Sequence, residues 1–457
     1  MNKIFLSLKN IFYNIRRGDG RSAVAKKNIL GSILISGTSI AISLLMVPIT
    51  IEYVNPSRYG IWLTLSTIVG WFSFFNIGLT HGLRNKFAEA RATGDDSSAQ
   101  MFVSTTYAIL TLIFVSVWLI FLLVNPFLDW VQILNVSADM RYEVSTLAVI
   151  VFTYFCLQFV LRVVTTLIIA DQQPAKVSLI DLLGQAVSMA FIVFLVHTTE
   201  GNLVYLGWAL CLSPIIVLIV ANFIFFRGKY YQYRPRISKI DFSRSKGLFS
   251  LGLTFFVIQI AGLLQFQSAN VIISQSFGPL EVTNYNIVYK YFNILTTIFV
   301  MFLAPLWSAS TDAYYKKDIA WIKKAMKKYT QLWGLLVLGG LVMLLLSDYV
   351  YEIWLKGNVS IEFKLSLWGY IFVSTFMFGN VFVNFLNGIS ALRIQFWGSI
   401  VSPLAYIGIA LLLINHFKLG VHSLFIASLF ANFNGIVVAP IQYYLIIYKQ
   451  KRGIWIS

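Results

Sequence analysis

The sequence predicts an all-α polytopic membrane protein: twelve transmembrane helices in two parallel six-helix lobes. Three observations carry this. The 457 residues are 58% hydrophobic and only 12% charged, about half the charged share of an ordinary soluble domain, with mean hydropathy +0.76. Long apolar runs, each able to cross a ~30 Å hydrocarbon core as a helix, alternate with short polar connections. The basic residues fall on every second connection. A water-soluble enzyme or binding module is excluded, because too little charge is present to cover its surface.

In chain order, residues 1–27 form a basic tail in which Ile4, Leu8, Ile11, Phe12 and Ile15 recur at helical spacing. That pattern suits a helix lying on an anionic inner leaflet, and a plain positive-inside tail reads equally well. The first lobe, 28–226, holds spans near 29–51, 61–80, 101–124, 144–170, 177–196 and 203–226. A linker at 227–246 carries seven basic residues. The second lobe, 247–448, holds spans near 248–273, 282–306, 330–347, 364–386, 396–415 and 421–448. A short tail, 449–457, follows.

With the amino terminus inside, the inner segments hold 28 of the 35 Lys and Arg. The outer loops hold Arg58, Arg141, Lys356, Lys364 and Lys418, while Arg162 and Lys290 lie within spans. This bias places both termini in the cytoplasm. It also accounts for the net charge of +17 without nucleic acid as a partner. Cys156 and Cys211 sit in apolar runs and the four histidines are scattered, so no disulfide framework, metal site or cofactor is expected. No GxxxxGK[ST] phosphate loop is present.

The two halves repeat. Pro56 and Pro279 precede the second and eighth spans, and 279 − 56 = 223. The same offset relates Asn135-Val136-Ser137 to Asn358-Val359-Ser360, and Asp95 to Asp318. An even number of spans per half keeps both in one orientation, as parallel repeats require. The two Asn-Val-Ser triplets are formal glycosylation acceptors, but shared ancestry of the halves explains them without glycans and is the preferred reading.

Local motifs then narrow the class. Tyr59-Gly60-Ile61-Trp62, Asn76-Ile77-Gly78-Leu79 and Gly82-Leu83-Arg84 resemble the polysaccharide flippases of the MATE-like superfamily, which include O-antigen repeat-unit and capsule flippases. Phe277-Gly278-Pro279, Tyr285, Tyr289 and Pro305-Leu306-Trp307 are similar to the corresponding second-half segment. The resemblance implies a V-shaped pair of lobes in a bacterial inner membrane. Between them an undecaprenyl-diphosphate-linked oligosaccharide would pass from the inner to the outer leaflet by alternating access. It implies no enzymatic activity, with membrane lipids, a polysaccharide polymerase and chain-length machinery as partners. Drug-exporting relatives typically carry a carboxylate in the first span, whereas none lies between Asn28 and Ile51. A membrane glycan polymerase or ligase would need a catalytic cluster on a large outer loop, and the longest outer connections, near 125–143 and 348–363, lack one.

A lumen for a sugar diphosphate must be polar and preferably cationic. Span four aligns Tyr154, Gln158, Arg162 and Thr165, and span eight aligns Asn286, Lys290, Asn293 and Thr297. Asn380, Asn384 and Asn387 add an amide stripe in span ten. Ser32, Ser36, Ser39 and Ser43 share a face of span one, and Ser66, Ser73, Asn76 and Thr80 one of span two; serine stripes also serve close helix packing. The candidate cargo contacts are Arg162, Tyr154 and Gln158, with Lys290, Asn286 and Asn293. Arg58 and Arg84, beside the quoted motifs, join them. Asp181 in span five either pairs with Arg162 to hold two helices together or tunes it and carries a proton. Lys290 has no acidic residue within its own span. Pro48, Pro214, Pro305, Pro403 and Pro440 lie within spans, where each removes a backbone hydrogen bond and permits a kink.

Overall fold

The computed structural model describes residues 20–70, 74–171, 173–245, 267–389, 391, 393–451 and 453–456. The basic tail up to residue 19, most of span seven, and the side chains of Ser32, Ser36, Ser73, Asn76, Pro305 and Trp307 lie outside the described residues. The first lobe consists of α1 (Gly20–Val54), α2 (Pro56–Gly70), α3 (Phe74–Ala92), α4 (Asp96–Val124), α5 (Trp130–Leu134), α6 (Arg141–Leu161), α7 (Val163–Ala170), α8 (Pro174–Thr198) and α9 (Leu203–Arg227). The second consists of α10 (267–277), α11 (Pro279–Tyr315), α12 (Ile319–Leu345), α13 (Ser347–Leu355), α14 (Phe363–Gly388), α15 (Arg393–Asn415), α16 (Ser423–Ala431) and α17 (Ala439–Ile447). Nine helices among the described residues are long and apolar enough to span a bilayer, and a bent pair forms a tenth span. The other two predicted spans correspond to α2 with α3, whose described residues lie on either side of 71–73, and to the segment that ends in α10.

Three elements differ from the expectation. The helix of span one already includes Gly20, so residues 20–27 extend it. Span four breaks at Arg162, between α6 and α7. Span twelve bends by 50° where Asn434–Val438 form a π turn, a known cause of sharp kinks. There Gly379 of α14 faces the backbone of Gly435 so closely that a Cβ would stand 2.9 Å from its carbonyl.

The repeat is built into the backbone. Asp95 and Asp318 each cap the helix that follows, accepting from the N–H three residues on, Ser98 and Trp321. Such caps satisfy an otherwise orphaned donor. Before each cap the chain turns through a positive φ, at Gly94 (75°) and Lys317 (60°). Pro56 and Pro279 open α2 and α11, preceded by Asn55 (φ 74°) and Gly278 (φ 91°). All of these pairs share the 223-residue offset.

Within the first lobe α1 packs on α8, α8 on α9, α9 on α6, and α6 on α4. In the second, α11 and α12 pack on α14, and α15 on α16. Exposed apolar rows such as Leu112, Leu119 and Leu123 on α4, or Leu335, Leu338, Val342 and Leu345 on α12, form the lipid-facing surface.

The lobes meet along α2 and α11, at the end of the bundle opposite the basic loops. The Thr283 hydroxyl donates to the Pro56 carbonyl at 2.6 Å, while Gly60 lies against the Pro279 carbonyl. Residues 60 and 283, like 56 and 279, are repeat equivalents, so this contact is a self-complementary pair across a pseudo-two-fold axis. Around it, Asn135 Nδ2 donates to the Ser274 carbonyl (2.9 Å), Ser274 Oγ to the Leu134 carbonyl (2.8 Å), and Trp354 Nε1 to the Leu44 carbonyl (2.9 Å). Lys356 pairs with Glu52 at 2.6 Å. The repeat equivalent of Glu52 is Gln275, which donates to the carbonyl of Ile133, the equivalent of Lys356.

A Cβ on Gly60 would stand 1.8 Å from the Pro279 oxygen, and both partners are backbone. Gly60→Ala therefore has to open the seam. Both native cysteines are buried, so an Asn135→Cys probe should react with an impermeant maleimide several-fold faster in the Gly60→Ala background. Equal labelling in both backgrounds would show that the seam tolerates the methyl group.

Candidate functional site

Among the described residues, two polar sites lie within the spans. The first is built around the break at Arg162. The Thr165 N–H bonds to the Arg162 carbonyl at 2.9 Å instead of reaching back to Leu161, and the Thr165 hydroxyl donates to the same carbonyl. This frees the Leu161 carbonyl, which accepts from Asn222 Nδ2 of α9 at 2.9 Å. Asn222 Oδ1 in turn accepts from the Tyr107 hydroxyl of α4 at 2.7 Å. A backbone acceptor freed within hydrocarbon costs several kcal/mol if unpaired, so the Tyr107–Asn222 chain is what makes the break tolerable.

Arg162 turns toward α8, where its Nη2 donates to Asp181 Oδ1 at 2.7 Å. The pair borders a cavity of about 390 Å³ lined by Tyr154, Gln158, Gly184, Gln185, Ser188 and Met46 among others. Gln158 Nε2 donates to the Tyr154 hydroxyl at 2.7 Å. Thus Tyr154, Gln158, Arg162 and Asp181 do come together, inside the first lobe. Arg162 Nε and Gln185 Oε1 are buried there without a hydrogen-bond partner. A polar space of this size with a free donor and a free acceptor suits hydration.

The second site is the stripe on α11. Asn286, Lys290, Asn293 and Thr297 are each half-buried, whereas Val282, Ile287, Val288, Phe292 and Phe299 beside them are at most 1% exposed. The stripe is therefore more open than that packed face, while the fully exposed face of the helix is apolar, with Ile298, Val300 and Phe302. Asn286 Nδ2 donates to Asn270 Oδ1 of α10 (2.8 Å), and Asn270 Nδ2 to Thr67 Oγ1 of α2 (2.9 Å), a chain that crosses between the lobes. Lys290 Nζ makes one long contact, 3.5 Å, to the Tyr59 hydroxyl of α2. It has no carboxylate partner among the described residues. Among those residues, no hydrogen bond or ion pair joins the two sites.

The remaining candidates separate. Arg58 is committed within its own lobe, donating to the Gly201 carbonyl at 2.6 Å and to Glu143 at 3.2 Å. Arg84 is exposed on α3. Ser39 and Ser43 are half-buried on α1, and Asn384 is spent on the Asn380 carbonyl of its own helix (2.9 Å). Sequence reasoning missed Asn222, Tyr107, Asn270, Thr67 and Tyr59. The repeat offset held one signal: Thr67 is the equivalent of Lys290, so the halves differ in charge at that position.

A sequence family described as polysaccharide biosynthesis proteins matches residues 25–309, more than half of the chain. The chain belongs to the polysaccharide biosynthesis protein family. Relatives of this family member include a Salmonella typhi protein named as an O-antigen transporter. It is 23% identical over 353 residues, covering 77% of this chain and 78% of the relative. A Yersinia pseudotuberculosis protein named as an O-antigen export protein is 21% identical, covering 72% and 75%. Among solved structures, an inward-facing multidrug resistance MATE family transporter of the MOP superfamily aligns with TM-score 0.74. It covers 92% of this chain and 100% of its own at 13% identity. An outward-facing structure of such a transporter aligns at 0.64, covering 96% and 98% at 15% identity. At these identities the likeness establishes the fold: this polysaccharide biosynthesis family member is all-α and MATE-like.

The Arg162 and Asp181 side chains are only partly buried, but within a span removing one partner still leaves the other charge uncompensated. Arg162→Gln and Asp181→Asn should therefore each lower the amount of folded protein in the membrane. The Arg162→Gln/Asp181→Asn double variant should recover most of it. Quantified membrane levels and thermal unfolding in detergent check this. A double variant no more abundant than the worse single variant would show that the pair is not the reason both charges are tolerated.

Proposed function

We propose that this protein is a flippase that moves a lipid-diphosphate-linked oligosaccharide from the inner to the outer leaflet by alternating access of its two lobes. The family and the names of its relatives support a transport role in polysaccharide assembly rather than an enzymatic one. Unaided passage would strip water from sugars and diphosphate, and each buried hydroxyl or charge without a partner costs several kcal/mol or more. The pathway must supply replacement partners.

The observation that carries the proposal is Lys290. An ammonium within a span is tolerated where it faces a partner or a hydrated cavity, and its face of α11 is the half-open one at the lobe boundary. Lys290 lies 11 residues beyond Pro279, hence about three turns inward of the seam by helical rise. With the basic loops on the cytoplasmic side, the contacts between the lobes close the outer end, and cargo enters from the inner leaflet. A diphosphate reaching Lys290 competes with the Tyr59 hydroxyl for the same ammonium. Because Tyr59 and Lys290 belong to opposite lobes, that competition removes one tie across the boundary as cargo arrives. Asn286 and Asn293, on the same face, offer amide donors and acceptors to sugar hydroxyls. The Arg162–Asp181 cavity is a secondary site within the first lobe, with Asp181 the candidate for ion coupling. Arg84 is a candidate contact on the inner side, where the head group enters.

Surface glycan accumulation in a flippase-deleted host tests this, alongside measured membrane levels. Lys290→Arg should keep substantial activity. Lys290→Gln should lose roughly tenfold, on the order of one charge-assisted hydrogen bond of about 1.5 kcal/mol, and Lys290→Glu more. Normal glycan from a well-inserted Lys290→Leu variant would refute the role, since a lysine that merely snorkels is replaceable by an apolar residue.

A further inference from the structure

The linker after α9 is fastened across the end of α4. The Tyr233 hydroxyl donates to Asp96 Oδ1 at 2.6 Å, Gln100 Nε2 to the Arg234 carbonyl at 3.0 Å, and the Arg236 N–H to Ser104 Oγ at 3.1 Å. The Asp241 N–H donates to Thr105 Oγ1 at 3.0 Å, and Lys239 Nζ to Ser97 Oγ at 3.2 Å. A second anchor lies where α9 ends. Asp171 takes salt bridges from Arg91 and Lys229 and a hydrogen bond from the Tyr230 hydroxyl at 3.1 Å. Burial pushes the Asp171 carboxyl up, but the two cations outweigh it and hold it below its ordinary range.

With its backbone polar groups turned inward, this strap presents apolar and basic side chains outward. Ile237 is 90% exposed and Phe242 is 56% exposed. Arg236 is exposed and has no ion pair among the described residues. Beneath them runs a groove of about 490 Å³ whose walls are almost entirely apolar. Leu112 and Val115 of α4, both on its exposed apolar side, line it together with Arg236, Ile237, Ile240 and Phe242 of the strap. The nearby acids are engaged: Asp96 by Tyr233, and Asp241 Oδ1 by the Ser243 N–H (2.9 Å) and hydroxyl (2.6 Å).

We propose that this groove holds an anionic phospholipid of the inner leaflet, its acyl chain along α4 and its phosphate against the Arg236 guanidinium. The groove opens from the lipid-facing side of a spanning helix, so an acyl chain can enter without leaving hydrocarbon. The cation stands where that helix reaches the interface, the depth of a headgroup phosphate, and arginine matches phosphate geometry with paired donors. A soluble anion would gain nothing from the apolar walls. The bound lipid ties the segment between the lobes to the bilayer surface. This assignment goes beyond the transport reading and stands without it.

The test uses the full chain purified in detergent, with phosphatidylglycerol and phosphatidylcholine of identical chains as probes and native mass spectrometry as the readout. The wild type should retain phosphatidylglycerol in preference to phosphatidylcholine. Arg236→Gln should weaken that retention about fivefold, the worth of one basic residue near an anionic surface, while Arg236→Lys keeps most of it. Ile237→Ser, at a position too exposed to disturb folding, should lower retention of both lipids. Lys327→Gln, an equal loss of charge on the second lobe's inner surface, should change nothing. Undiminished retention by Arg236→Gln, or an equal loss with Lys327→Gln, would overturn the site. Displacement of phosphatidylglycerol by an equimolar polyprenyl phosphate would assign the groove to the cargo's own lipid and overturn the resident phospholipid.

Discussion

The close approach of α2 and α11 governs how the rest of the molecule is arranged. A glycine at position 60 lets one backbone rest on the carbonyl of Pro279, and the reciprocal contact is a hydrogen bond from Thr283 to the Pro56 carbonyl. Each lobe contributes the same short segment, a positive-φ residue followed by a helix-starting proline. Two copies of one unit can make such a contact only around a two-fold axis. It also sits at one end of the bundle, away from the basic loops. From there the contact between the lobes continues along α2 to the Thr67–Asn270 hydrogen bond, about three turns further by helical rise.

Charge inside the spans is handled in two different ways. Arg162 and Asp181 neutralise each other within the first lobe, around a helix break whose freed carbonyl is taken up by Asn222. Lys290 has no such compensation among the described residues and stands at the boundary between the lobes with the Tyr59 hydroxyl at 3.5 Å. Paired charge can be explained by architecture alone. Charge without a counter-ion in a span requires water or a ligand. That difference, rather than the number of polar residues on each helix, is why Lys290 carries the functional argument.

Much of this was legible in the sequence because it rests on patterns the bilayer enforces. Apolar runs and the 223-residue repeat each follow from single positions, and Asp95 and Asp318 do cap equivalent helices. The alignment of Tyr154, Gln158 and Arg162 on one face was legible for the same reason. The break at Arg162 was not, because no Gly or Pro between Val163 and Ile169 signals it; it depends on Asn222, 60 residues later, taking up the freed carbonyl. Nor was the Thr67–Asn270–Asn286 chain, whose members come from three helices and two lobes. Arg58 looked available in the sequence because its partners, Glu143 and the Gly201 carbonyl, lie on distant loops.

The central claim is that the two lobes carry a lipid-linked glycan between leaflets. Reconstituting the purified protein into liposomes and measuring the accessibility of a lipid-diphosphate oligosaccharide to an external sugar-cleaving enzyme tests it most directly. The account predicts that wild-type protein converts the protected inner pool to an accessible one and that folded Lys290→Glu protein leaves it protected. A protected pool that stays protected with folded wild-type protein, in liposomes where the same protein exports a cationic drug, would contradict it.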